Sequence, residues 1–185
     1  MNEKFKNKYR IPSARLQRWD YTNSGSYFIT ICTKNMVHYF GEIVNQQMQL
    51  SNIGLLTEKF WFEIPKHFPF VELGDFVVMP NHVHGILMIT NIIESIDQCL
   101  ISALELTPGQ LRYRNRGNNS ALSISSIVGS YKSAVTKNVR LQFEKGFAWQ
   151  TRFHDHVIRD AKTFLHISQY IESNPLNWNK DKFFT

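Results

Sequence analysis

Phe76-Val-Val-Met-Pro-Asn-His-Val-His-Gly-Ile-Leu-Met88 sets two short apolar runs on either side of Pro80-Asn81, a turn dipeptide. The stretch reads as a β-hairpin, with Glu72 to Met79 as one arm and His82 to Thr90 as the other. Side chains two residues apart in a strand point to the same face. His82 and His84 therefore lie side by side, while Val83 points into the opposite layer. Two imidazoles so placed suit one divalent metal. A His-x-His pair is also often structural, so the rest of the chain has to decide between the two readings.

Upstream of the hairpin, Tyr27-Phe-Ile-Thr-Ile-Cys-Thr33 is a β-rich run bounded by Asn23-Ser-Gly25. Both of its faces carry bulk, so it reads as a central strand. Glu42 to Leu50 predicts a second strand. Ser51 is a candidate N-cap for a helix carrying Ile53, Leu56, Phe60 and Ile64 at helical spacing, and Pro65 ends the pattern. Downstream, residues 91–122 read as a long variable connection, with breakers at Thr107-Pro-Gly109 and Arg116-Gly-Asn-Asn-Ser120. A helix follows, with Ile124, Ile127, Val128, Tyr131, Val135 and Val139 in one stripe and Lys132, Lys137 and Arg140 away from it. Tyr131 is therefore read as core. Phe153 to Arg159 predicts a last strand, and Asp160 caps a helix from Ala161 to about Ser173 that Pro175 stops.

The order β, β, α, β, β, α, β, α predicts an α+β fold. One antiparallel sheet with helices mainly on one face satisfies it. The ferredoxin-like arrangement is the natural candidate, with a C-terminal strand and helix appended.

The chain has 185 residues, enough for one domain with a real core, and 43% of them are hydrophobic. The composition is globular, and no apolar run is long enough to cross a bilayer. The N-terminal arm, residues 1–20, carries Lys4, Lys6, Lys8, Arg10, Arg15 and Arg18 but no apolar stretch of the kind a signal peptide needs. The two cysteines, Cys32 and Cys99, fit neither a disulfide framework nor a zinc cluster, and the expected location is the cytoplasm. With 21 Lys and Arg against 15 Asp and Glu, the net charge is +6, which makes nucleic acid the first partner to consider.

In the last helix, Phe164, Ile167 and Ile171 define an apolar stripe, and Tyr170 and Asn174 share one edge of it at i, i+4. A phenol and an amide so placed can point into a cleft while the helix stays anchored. Asn174 can offer an amide oxygen to a hard metal such as Mg2+ or Mn2+, and Tyr170 can act as an oxygen nucleophile.

Met79-Pro-Asn-His-Val-His-Gly-Ile86 resembles the histidine–hydrophobe–histidine signature of single-tyrosine (HUH) transposases. Trp149-Gln-Thr-Arg-Phe-His-Asp-His-Val-Ile-Arg159 and Tyr170-Ile-Glu-Ser-Asn-Pro175 resemble the branch known as REP-associated tyrosine transposases, and Trp19-Asp-Tyr21 and Tyr27 to Thr33 fit it as well. The resemblance runs from about Arg15 to the C-terminus. It implies a ferredoxin-like fold and a divalent metal, Mg2+ or Mn2+, on His82 and His84, with Asn174 as third ligand. It also implies that Tyr170 attacks a phosphodiester of single-stranded or hairpin DNA, giving a covalent 5′-phosphotyrosine and a free 3′-hydroxyl that allow strand transfer. Transposition-competent relatives often carry Gln where this chain has Asn174. The resemblance is compatible with a monomer or a homodimer.

Arg15, Arg18, Lys132, Lys137, Arg152 and Arg159 are the candidate DNA contacts. His154 and His156 form a second i, i+2 pair, open to polar packing or to a DNA-facing role. Arg112, Arg114 and Arg116 belong either to a DNA-contacting loop or to a solvated insertion. Two other functions remain open from the sequence: a domesticated protein that binds hairpins without cutting, and a metal-dependent phosphodiesterase that uses water.

Overall fold

The computed structural model describes residues 24–90 and 123–184. The N-terminal arm with Arg15 and Arg18, and the connection with Arg112, Arg114 and Arg116, lie outside the described residues.

Four strands make one antiparallel sheet in the order β4-β5-β1-β6: β1 (Gly25–Cys32), β4 (Val71–Met79), β5 (His82–Ile89) and β6 (His154–Ile158). With α1 (Asn52–Phe62) between β1 and β4, and α3 (Ile124–Gln142) between β5 and β6, this is the ferredoxin-like plan. β6 is the fourth strand of that plan, pairing with β1 from Ser26↔Ile158 to Thr30↔His154. α4 (Ala161–Ser173) follows it.

The expected second strand is instead two strands, β2 (Gly41–Val44) and β3 (Gln47–Leu50), paired as a separate hairpin. Asn45 and Gln46 make the turn with φ of 50° and 63°. Two successive positive φ values are what a type I′ hairpin turn requires. Pro65 also differs from expectation. It sits in the first turn of a short helix, α2 (Ile64–His67), where a missing N–H does no harm.

The sheet has two distinct faces. Tyr27, Ile29 and Ile31 of β1 and Val83, Leu87 and Ile89 of β5 pack beneath α1 and α3. The stripe on α3 is buried as its spacing predicts, and Tyr131 donates its hydroxyl proton to Thr57 O at 3.1 Å. α1 begins at Ser51, whose Oγ accepts from Gly54 N at 3.1 Å. Gly85 belongs to this face. A Cβ there would meet Trp61 Cζ2 at 2.3 Å, because Trp61 and Phe76 stack over it with ring centroids 4.5 Å apart. The other face carries Phe28, Thr30, Cys32, His82, His84 and Ile86, since Thr30 pairs with His84 and Cys32 with His82. α4 covers part of it, burying Ile167 and Ile171 against Ile86 and Ile158. Asp160 starts α4, its Oδ1 accepting from Thr163 N at 2.8 Å.

Candidate metal and tyrosine site

The alternation of β5 delivers His82 and His84 to the face that α4 crosses, and both are buried. Their Nε2 atoms stand 3.0 Å apart. Each Nδ1 has its own partner: His82 Nδ1 is 2.8 Å from Asn81 Oδ1, and His84 Nδ1 is 2.8 Å from Thr30 Oγ1. Asn81 is fixed in turn, donating from Nδ2 to Phe183 O at 2.9 Å. With its amide group so oriented, Asn81 Oδ1 accepts the His82 Nδ1 proton and leaves a lone pair on Nε2. A proton donated by His84 Nδ1 to Thr30 does the same there. In that tautomer the two Nε2 lone pairs are free to bind one cation; in the other, His84 Nε2 donates its proton to His82 Nε2. Nitrogens bound at right angles to one ion at ~2.1 Å would sit about 3.0 Å apart.

Burial also keeps these rings uncharged. It lowers His82 to about 4, against an opposing pull from Asp181. Burial first, and then His82 itself, holds His84 well below its usual value. Neutral imidazole is the ligating form.

The third member of the group is Asp181. Its carboxylate, His82 and His84 offer ligand atoms that all lie within 4.8 Å of one another. Asp181 also gathers the polar residues of α4. Tyr170 donates its hydroxyl proton to Asp181 Oδ2 at 3.1 Å, and the same hydroxyl lies 3.3 Å from His84 Nε2. Asn174 Nδ2 donates to Asp181 Oδ2 at 3.0 Å. Asn174 is buried, and its Oδ1 has no hydrogen-bond partner. A buried carbonyl oxygen left alone is costly unless an ion or water meets it. The donor set of two imidazoles and a carboxylate fits a divalent ion.

Burial, and after it Asp181, pushes the Tyr170 hydroxyl up to about 12. The phenol is nevertheless reachable, at 36% exposure. A cavity of about 250 Å³ opens beside it, with Lys180 and Lys182 in its lining.

His82, His84, Tyr170 and Asn174 are thus brought together from two elements far apart in sequence. Asp181, Asn81 and Thr30 were not among the expected site residues. Asn81 carried only a turn signal. Asp181 follows Pro175 in a tail without periodicity, and nothing local marks it. Lys132 and Lys137 lie elsewhere, along a groove beside α3. Arg152 and Arg159 are exposed before and after β6. His154 and His156 are exposed on the histidine-bearing face, at the β6 edge, so they are not packed polar residues.

No protein-family model matches the chain. A Haemophilus influenzae protein described as uncharacterized is 40% identical over 172 residues, covering 93% of this chain and 92% of that protein. The chain belongs to the same family as that protein. The structure of a REP-associated tyrosine transposase bound to a REP hairpin superposes with a TM-score of 0.55 at 21% identity, over 91% of this chain and 76% of that one. This family member therefore has the fold of a REP-associated tyrosine transposase. Among the described residues, no helix is long and apolar enough to cross a membrane.

Proposed function

We propose that the protein is a metal-dependent enzyme that nicks single-stranded DNA and transfers strands, with Tyr170 as nucleophile and hairpin DNA as substrate. The observation that carries this reading is the Tyr170 hydroxyl, 3.3 Å from His84 Nε2 and 3.1 Å from Asp181 Oδ2. The fold shared with a transposase bound to a REP hairpin supports the DNA substrate.

His82, His84 and Asp181 would hold Mg2+ or Mn2+, with Asn174, bonded to Asp181 through Nδ2, as a further candidate ligand. The ion would supply Lewis acidity, offsetting negative charge on a non-bridging phosphate oxygen. The remaining work falls to the chain. Asn81 and Thr30 fix the two ring orientations. Asp181 Oδ2 holds the phenol by its proton and is the group placed to receive it. Lys180 and Lys182 bring positive charge to the side of the cavity where a phosphate would enter. As the phenol oxygen bonds to phosphorus, the P–O3′ bond breaks, leaving a 5′-phosphotyrosine and a 3′-hydroxyl. Attack by a second 3′-hydroxyl reverses the step and joins strands without ATP.

The test is a covalent adduct on single-stranded DNA labelled on the 3′ side of the cut. The adduct should form with Mn2+ or Mg2+ and disappear with a chelator, in Tyr170→Phe and in His82→Ala. Hydrolysis that survives Tyr170→Phe would identify a phosphodiesterase that uses water. Salt-sensitive hairpin binding with no adduct in any metal would identify a binding protein that does not cut.

A further inference from the structure

α3 carries a second surface that the chemistry at Tyr170 does not use. Lys132, Ser133, Thr136, Lys137 and Arg140 recur at i, i+1, i+4, i+5 and i+8, away from the buried Val135 and Val139. They line a groove of about 470 Å³ whose other wall is the segment 148–151. Two clamps hold the walls together. Lys132 Nζ donates to Gln150 O at 2.7 Å and to Thr151 O at 3.4 Å, and Arg140 Nε donates to Phe147 O at 2.8 Å. Both clamps are to neutral carbonyls, and no carboxylate is among the described residues of the lining. Lys137 is exposed between them. From Lys132 to Arg140 the row rises ~12 Å along the helix axis.

The groove leads to the catalytic end of the sheet. Gln150 N donates to Cys32 O at 2.8 Å, and Cys32 lies directly opposite His82. The lining offers charges, hydroxyls and amides but no aromatic platform, since Trp149 is only 8% exposed. Base stacking needs an open ring face. A phosphate backbone needs only what the groove has.

We propose that this groove carries the phosphate backbone of the single-stranded DNA that adjoins the cleaved bond, in a sequence-tolerant way. The proposal rests on the DNA-nicking reading, yet it concerns binding and can be tested without cleavage.

The experiment uses the full chain in a Tyr170→Phe background with chelator, and fluorescence anisotropy with two probes, a short oligo-thymidine strand and a blunt duplex. The parent should bind the single strand more tightly. Lys137→Glu with Arg140→Gln should weaken single-strand binding at least tenfold at low salt. It should also reduce the slope of log K against log salt by about 1.4, the value for two lost phosphate contacts. Lys66→Glu, on α2, makes the same charge reversal as Lys137→Glu but outside the groove, and should change neither quantity. If the double variant melts early, Lys137→Glu alone, at an exposed position, should lower the slope by about 0.7. Unchanged binding and slope overturn the proposal, as does an equal loss on the blunt duplex. Failure of the wild-type chain to form an adduct would strike the nicking reading and leave this binding result standing.

Discussion

Asp181→Asn separates the acidity of Tyr170 from its reactivity, and the two should move in opposite directions. The carboxylate accepts hydrogen bonds from the Tyr170 hydroxyl and from Asn174 Nδ2 on the same oxygen, Oδ2. Burial and Asp181 together push the phenol up to about 12. At pH 7 a phenol at 12 is ionised to roughly one part in 10⁵, against one part in 10³ for an ordinary tyrosine near 10. Asparagine keeps the shape and a ligating oxygen but removes the negative charge and the proton acceptor. The phenol should therefore titrate at lower pH, read as phenolate absorbance in the difference between Asp181→Asn and Asp181→Asn/Tyr170→Phe. Adduct formation should nonetheless fall by 10²–10⁴-fold, the usual contribution of a positioned proton acceptor. The assay is single-turnover adduct formation at saturating Mn2+, which offsets a modest loss of metal affinity. An adduct rate equal to or above wild type would refute the reasoning, since Asp181 would then restrain the phenol instead of serving it.

Three further outcomes follow from the same geometry. Asn81→Ala removes the acceptor that orients His82 and should weaken Mn2+ binding 10–100-fold, measured by calorimetry, with His82 still in place. Without metal, acid should destabilise the fold. His82 is held near 4 against 6.5 when unfolded, so the unfolded chain takes up more protons in that window. Its contribution is complete above pH 6.5 and is lost by about pH 4, amounting to about 3 kcal/mol in denaturant titrations, with saturating metal opposing the loss. Gly85→Ala drives a methyl into Trp61 and should destabilise by about 1–3 kcal/mol in thermal melts, or more if the Trp61–Phe76 stack cannot shift.

The elements that could be read from sequence are those whose periodicity is set by one continuous buried face. β5 alternates and α3 repeats at helical spacing, so Val83, Val135 and Tyr131 fell where the pattern put them. The cap at Asp160 was local and therefore readable too. The β2–β3 turn was not, because Asn45-Gln46 lacks the glycine that usually marks two positive φ values. Asp181 was hidden for a different reason. It reaches the site because Phe183 O is bonded to Asn81 and because the Phe183 ring packs on His82 with centroids 4.7 Å apart. Those contacts join residues about a hundred positions apart, and no local pattern encodes them.

α4 explains why the site is built from so many pieces. Ile167, Ile171 and Asn174 occupy one buried stripe, so the face that anchors the helix ends in a polar residue at its C-terminus. Tyr170 stands at the margin of that stripe, one turn before Asn174. The end of a helix carries partial negative charge, and α4 has no basic residue in its last turn to offset it. That end favours a cation and disfavours an anionic phosphodiester. A phosphate can approach Tyr170 only if positive charge is supplied from elsewhere, and the described sources are Lys180 and Lys182 in the following segment and the ion that the two histidines of β5 are arranged to accept. On the proposed reading, the nucleophile is thus set where it is inactive by itself. Its reactivity depends on groups brought in from the strand pair and from the segment that follows the helix.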